Sequence, residues 1–290
     1  MSFIFKFRSD RLGTDILSML FQFYYCYKNK YHIKYSPNDS KYVSSIFVQS
    51  IFKLIDAHNN TLLDIDNSIV EDKINVEMYG GDSDMCYGMT MIVQEIESDM
   101  LSFFKNNFYE SIKDYYNLNN NYSIPFDTDN SIVIHLRLDD VFLLNYSDYD
   151  GSVCSGYYIN LINNNQQGFL SYGPDNIYNT QSHISSYKIE KELNKLLTEF
   201  PNSKIILIAS PLTRIPELTF KYDMVIQSED YNYDLFLLSK SKKIILSRSN
   251  YSLISLFFGE QTHVHMPLWG HFACAGFGSK YDKCKFNYFY

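Results

Sequence analysis

Apolar positions along this chain fall into short β-type runs that alternate with helix-spaced stripes, and the alternation predicts an α/β fold. Phe3 to Phe7 reads as a strand, Arg8 to Thr14 as a loop and Asp15 to Asn29 as a helix. A strand at 31–35, a helix at 42–55 and a helix over 90–115 complete the first half. Asn117 to Asn130 is polar and rich in Asn, which makes it the best boundary in the chain. Beyond it come a strand at Ser131 to His135, a helix at Ser185 to Phe200 and a strand at Lys204 to Ala209. Further strands near 224, 244 and 262 have helices at 232–241 and 251–258 between them. Strands separated by helices imply a parallel sheet. The stretch from Val141 to Pro174 has few patterns and reads equally as a functional loop or as an insert. No internal repeat is present.

Ser131 to Asp140, SIVIHLRLDD, concentrates the candidate chemistry. Its apolar run stops at His135, Arg137, Asp139 and Asp140, and polar side chains past a strand's carboxyl end sit where open α/β sheets bind ligands. Alternate strand residues share a face, so His135, Arg137 and Asp139 project together while Leu136 and Leu138 turn inward. A guanidinium there is a rigid fork suited to phosphate. A surface Arg–Asp pair at a strand end is the competing reading. A second concentration lies at Ser247 to Ser252, a hydroxyl-rich turn between a buried strand and a helix. Such a turn caps the helix and offers N–H and O–H groups to an anion.

HLRLDD resembles the His-x-Arg-x-Gly-Asp signature of the fucosyltransferase superfamily, the GDP-fucose enzymes that include α1,2-, α1,6- and protein O-fucosyltransferases. Further blocks follow in that family's order. Asp10-Arg11-Leu12-Gly13-Thr14-Asp15 with Phe21-Gln22-Phe23 resembles its Gly-Arg-Leu-Gly-Asn-Gln and Phe-Gln-Tyr. Ser182 to Tyr187 resembles a segment that enters a helix, and Asp234 to Ser252 resembles its Asp-Leu-x-Leu-Met-Ser helix, strand and Ser-Asn-Ser-Ser/Thr-Phe-Ser turn. Thr262 to Trp269 resembles its closing strand and Pro-x-Trp. The similarity covers about two thirds of the chain as scattered blocks.

The resemblance implies a GT-B-like glycosyltransferase with two Rossmann-like domains facing a cleft. Residues 1–125 would form an α/β domain on the acceptor side carrying the Arg11–Gly13 loop, and 131–290 a nucleotide-sugar-binding domain. The reaction it implies is inverting, metal-independent transfer of fucose from GDP-fucose to a glycan hydroxyl, with an α1,2-type linkage as first guess. Arg137 would bind the β-phosphate, His135 and Asp234 would lie against the guanine, and Ser249, Asn250 and Tyr251 would contact phosphate or ribose. Arg11, Gly13 and Thr14 complete the donor-binding set. Asp10, Asp15 and Asp140 are the candidate bases, Asp140 serving equally to orient Arg137. Asp139, Leu138 and Thr14 depart from the family pattern, which keeps two alternatives open: another nucleotide sugar as donor, or a catalytically silent nucleotide- or glycan-binding module.

Composition narrows the partners. The 290 residues carry a formal net charge of −8 and no Lys/Arg stripe, which disfavours nucleic acid and anionic membranes. Any anionic ligand therefore needs a local pocket, for which Arg11, Arg137 and Arg248 are available. The 5 cysteines form no CxxC pair, so free thiols are expected, with Cys274–Cys284 the only pairing considered. Four Asp-x-Asp triplets begin at Asp64, Asp82, Asp127 and Asp148, too many in an Asp-rich chain to signal a metal, so no cofactor is expected. Neither a signal peptide nor an eighteen-residue apolar run is evident, and a sequon at Asn250-Tyr251-Ser252 falls within the proposed phosphate turn. These features lead to the expectation of a soluble cytoplasmic enzyme.

Overall fold

The computed structural model describes residues 1–7, 11–62, 99–119, 121–137, 184–211, 215, 217–268 and 277–289. The first half opens with a parallel βαβ crossover: β1 (Ser2–Ile4), α1 (Leu12–Asn29) and β2 (His32–Lys34), with Phe3 opposite Ile33. Helix α1 starts at Leu12, three residues before the predicted start at Asp15, and takes in the end of the expected loop. Leu12 and Ile16, one turn apart, are both buried, and Asp15 falls in the first turn, where a carboxylate suits the helix dipole. The helix ends at Lys30, whose left-handed backbone (φ 56°) returns its N–H to the last turn. Gln22 ties α1 to the chain beyond β1, accepting from Lys6 N (2.9 Å) and donating to Lys6 O (2.8 Å).

Helix α2 (Ile46–Asn60) lies later than expected because residues 41–44 form a turn and Ser45 is extended. Its Asn59 amide bonds both the N–H and the C=O of Ile33, at 2.8 Å each, which satisfies the open edge of β2. Residues 99–107 form the helical segment α3, and α4 (Tyr109–Asn119) follows. In the linker, Asp127 accepts from the N–H groups of Asp129 and Asn130 and from the Asn130 amide, an Asx-type turn that explains the Asp127-x-Asp129 triplet.

The second half is built on six parallel strands: β3 (Ser131–Leu136), β4 (Lys204–Ala209), β5 (Met224–Ile226), β6 (Lys243–Ile245), β7 (His263–Pro267) and β8 (Lys285–Phe289). They lie in the order β5-β4-β3-β6-β7-β8. Chain order therefore runs outward from β3 in one direction and then, from β6, in the other, the order of a doubly wound, Rossmann-like sheet. Strand β8 is missing from the sequence reading, although Phe286 and Tyr288 alternate with polar residues in the way a half-buried strand requires.

Pleating divides the sheet's side chains between two layers. Ile132, Ile134, Leu136 and Leu207 pack on one face with Ile189, Leu193 and Leu196 of α5 (Ser186–Glu199). Buried Glu192 fastens α5 to the sheet by accepting from His265 Nδ1 (2.9 Å) and the Asn287 amide (2.5 Å), and it also accepts from Lys195 Nζ (2.7 Å) of its own helix. Val133, Ile206, Ile208, Ile244 and Val264 pack on the other face, against α6 (Tyr231–Lys240) and α7 (Asn250–Phe258). That second cluster continues into Phe3, Ile16, Leu20, Phe23, Phe47 and Phe104 of the first half, so both halves share one hydrophobic core. No helix among the described residues is long and apolar enough to cross a membrane, and Cys26 and Cys284 form no disulfide among the described residues.

Candidate functional site

The reversal of strand order falls between β3 and β6, the point at which open α/β sheets characteristically bind ligands beyond the strands' carboxyl ends. Strand β3 delivers His135 and Arg137 to this point, and β6 delivers the turn from Ser247 into α7. Arg137 Nη1 donates to the Arg248 carbonyl at 2.8 Å, and His135 Nδ1 lies 2.6 Å from Ser247 Oγ. The two motifs, more than a hundred residues apart in sequence, thus meet side by side. The His135 ring stands 5.8 Å from that of Tyr251. Burial, and then the Arg137 guanidinium, push the His135 imidazole down to about 3, so it is neutral at physiological pH.

The serine-rich turn commits its hydroxyls to protein partners, Ser247 to His135 and the others within the turn. Ser249, the N-cap of α7, accepts from Tyr251 N at 3.2 Å. The buried Ser252 hydroxyl donates to the carbonyls of Ser247 (3.3 Å) and Ser249 (3.2 Å). The three spaced serines therefore shape the turn and its junction with His135, and the groups it leaves for an anion are the helix amides and dipole rather than hydroxyls.

The amino end of α1 reaches the same point. Gly13 belongs to the first turn of α1, not to a loop, and a Cβ on it would fall 2.5 Å from Tyr251 N and 2.6 Å from Tyr251 Cα. The close approach that this glycine permits is therefore to the backbone of α7. Thr14 Oγ1 accepts from the Asn250 amide at 3.3 Å, and Arg11 is the N-cap residue of α1, its carbonyl receiving the N–H groups of Thr14 and Asp15. Two helix amino termini and two strand carboxyl ends converge on one spot. Asp15, expected among the bases, is fully buried and accepts from Ser40 Oγ at 3.1 Å, which removes it from any acceptor's reach.

Asp234 lies one turn into α6, 7 % exposed, and its Oδ1 has no hydrogen-bond partner. Burial, and then the Asp230 carboxylate one turn earlier, push Asp234 up to about 7. Asp230 caps α6 through Asn232 N (2.8 Å) and Tyr233 N (3.3 Å) and accepts from the Tyr122 hydroxyl at 2.5 Å. Tyr251, whose hydroxyl donates to the Tyr231 carbonyl, has its phenol driven well above the usual range by burial and then by Asp234. Asp230 and Tyr122 are site neighbours that sequence reasoning missed, though an Asp four residues before another at a helix start was a usable signal.

Asp10, Asp139 and Asp140 lie outside the described residues, as do Leu138, Trp269 and the triplets beginning at Asp64, Asp82 and Asp148. Comparison with known proteins returns no match: no family model, no curated protein and no solved structure.

Proposed function

We propose that the protein is an inverting, metal-independent glycosyltransferase that moves fucose from GDP-fucose to a glycan hydroxyl, with an α1,2-type linkage. One observation carries this reading. The two sequence blocks that resemble the fucosyltransferase signature meet at the switch point of a parallel sheet, through Arg137 to Arg248 and His135 to Ser247. In this reading the architecture is GT-B-like, with residues 1–125 on the acceptor side and 131–290 binding the donor, the two packed against each other through a shared core. The parallel βαβ unit of the first half supports an α/β acceptor domain.

In this reading the acceptor oxygen attacks the anomeric carbon from the face opposite the diphosphate, and the bond to GDP breaks as the new glycosidic bond forms. Arg137 carries the charge that develops on the β-phosphate, reinforced by the amino ends of α1 and α7. Asp234, an acceptor without a donor, suits the N–H groups on one edge of guanine. His135, Ser249, Asn250 and Tyr251 line the rest of the nucleotide. Asp140 orients Arg137 or takes the acceptor proton.

Thermal stabilisation tests the donor class. GDP at about 100 times its dissociation constant should add about 2.7 kcal/mol of stability, and UDP, ADP and CMP should add far less. Arg137→Ala should lower fucose transfer to a lactose-type acceptor by about 100- to 1000-fold, and EDTA should leave transfer unchanged. A chain that responds to no nucleotide ends the proposal; GDP binding without transfer makes it a binding module instead.

A further inference from the structure

The pairing of His135 with Ser247 fixes more than the position of the ring. At 2.6 Å either Nδ1 or Oγ could be the donor, so the proton is located by counting hydroxyl protons and their acceptors. Ser252 has one hydroxyl proton, directed at the carbonyls of Ser247 and Ser249, which only accept. Ser247 has one as well, and its Oγ has two acceptors in range: His135 Nδ1 at 2.6 Å and Ser252 Oγ at 3.4 Å. Hydroxyl hydrogen bonds run from about 2.5 to 3.0 Å, so only the imidazole nitrogen is a good acceptor. Were Nδ1 protonated instead, the buried Ser247 hydroxyl would keep only the long contact, and a buried donor without a proper acceptor is disfavoured.

We infer that Ser247 is a positioning residue: its hydroxyl donates to His135 Nδ1, holds the ring in the Nε2–H tautomer and so gives the switch-point site one neutral N–H donor. The ligand atom that meets Nε2 is then an acceptor, a carbonyl oxygen or ring nitrogen of the base or an oxygen of the ribose. It is neither a donor nor an anion held by a cationic imidazole. Burial beside Arg137 keeps the ring neutral, so one tautomer serves across the physiological range. Nε2–H is thus a donor of fixed sense, and Asp234 adds an acceptor when it is ionised, a pairing that lets the site discriminate between nucleobase edges. The tautomer rests on geometry alone; its use in base recognition rests on the GDP-sugar reading.

Nitrogen-15 NMR of histidine-labelled, nucleotide-free protein tests the assignment, with the His135 signals identified by their loss in His135→Gln. Wild type and Ser247→Thr should show a protonated Nε2 and an unprotonated Nδ1. Ser247→Ala should lose that single pattern and bind GDP about tenfold more weakly, with affinity recovered in Ser247→Thr. A proton on Nδ1 in wild type, or a pattern unchanged in Ser247→Ala, overturns the inference. If Ser247→Ala fails to fold, the wild-type spectrum decides alone. An Nε2–H pattern in a protein that does not bind GDP leaves the tautomer standing and defeats only the donor reading.

Discussion

At the residue scale, the site combines groups whose surroundings oppose their ordinary charge. Asp234 is the clearest, since burial and Asp230 raise it to about 7 while Oδ1 has no partner. An acid whose pKa rises on folding gives its full share of stability below the unfolded value near 4 and loses it as pH climbs through 7. Three pK units correspond to at most about 4 kcal/mol. Asp234→Asn should therefore raise the melting temperature at pH 8 and leave it nearly unchanged at pH 4, measured against wild type at both. A ligand that donates N–H groups to Oδ1 favours the carboxylate, so GDP binding at pH 6 should release about one proton to the buffer and at pH 9 almost none. Titration calorimetry in buffers of different ionisation enthalpy reads this directly, and Asp234→Asn should abolish it. Arg137→Lys keeps the charge but loses the planar fork that reaches the Arg248 carbonyl, so it should recover only part of the transfer lost in Arg137→Ala.

At the element scale, the crossing of α1 and α7 is the joint on which the site depends. A side chain at position 13 meets backbone rather than a movable side-chain tip, 2.5 Å from Tyr251 N and 2.9 Å from the Asn250 carbonyl carbon. Gly13→Ala should gain about 1 kcal/mol of helix propensity yet lose about 1–3 kcal/mol to overpacking. A lower melting temperature together with weaker GDP binding is the expected outcome; a more stable variant with unchanged binding would show that α1 does not position α7. This joint also shows how far the sequence could be read. The strand Lys204–Ala209 and the helices after 230 and 249 follow from apolar spacing and caps, because a parallel sheet buried on both faces leaves uninterrupted apolar runs. The start of α1 does not, because Gly13 has the signature of a loop and only a partner helix far along the chain explains it. The motif at 131–140 named His135 and Arg137, yet nothing local could announce that Ser247, 112 positions away, meets His135.

At the scale of the whole molecule, the polar linker marks a change in composition without separating two cores. Phe47 meets Phe258 at 4.8 Å and Phe104 meets Phe257 at 5.6 Å, so first-half aromatics cover the helix that opens at the candidate site. Lys105 adds a polar tie, its ammonium donating to the Gly259 carbonyl just past α7. A fragment of residues 121–290 would leave those faces of α7 in water. It should bind a hydrophobic dye and lack the near-ultraviolet circular dichroism of a packed core, even where its far-ultraviolet signal is retained. The full chain should unfold in one transition seen alike by both signals, because neither half completes its core alone. Phe104→Ala discriminates between one cooperative unit and two. Loss of that ring should cost about 3–5 kcal/mol and move the whole transition down while keeping it single. Two separated transitions, the later one unmoved by Phe104→Ala, would show that the sheet and its switch point hold together without the first half.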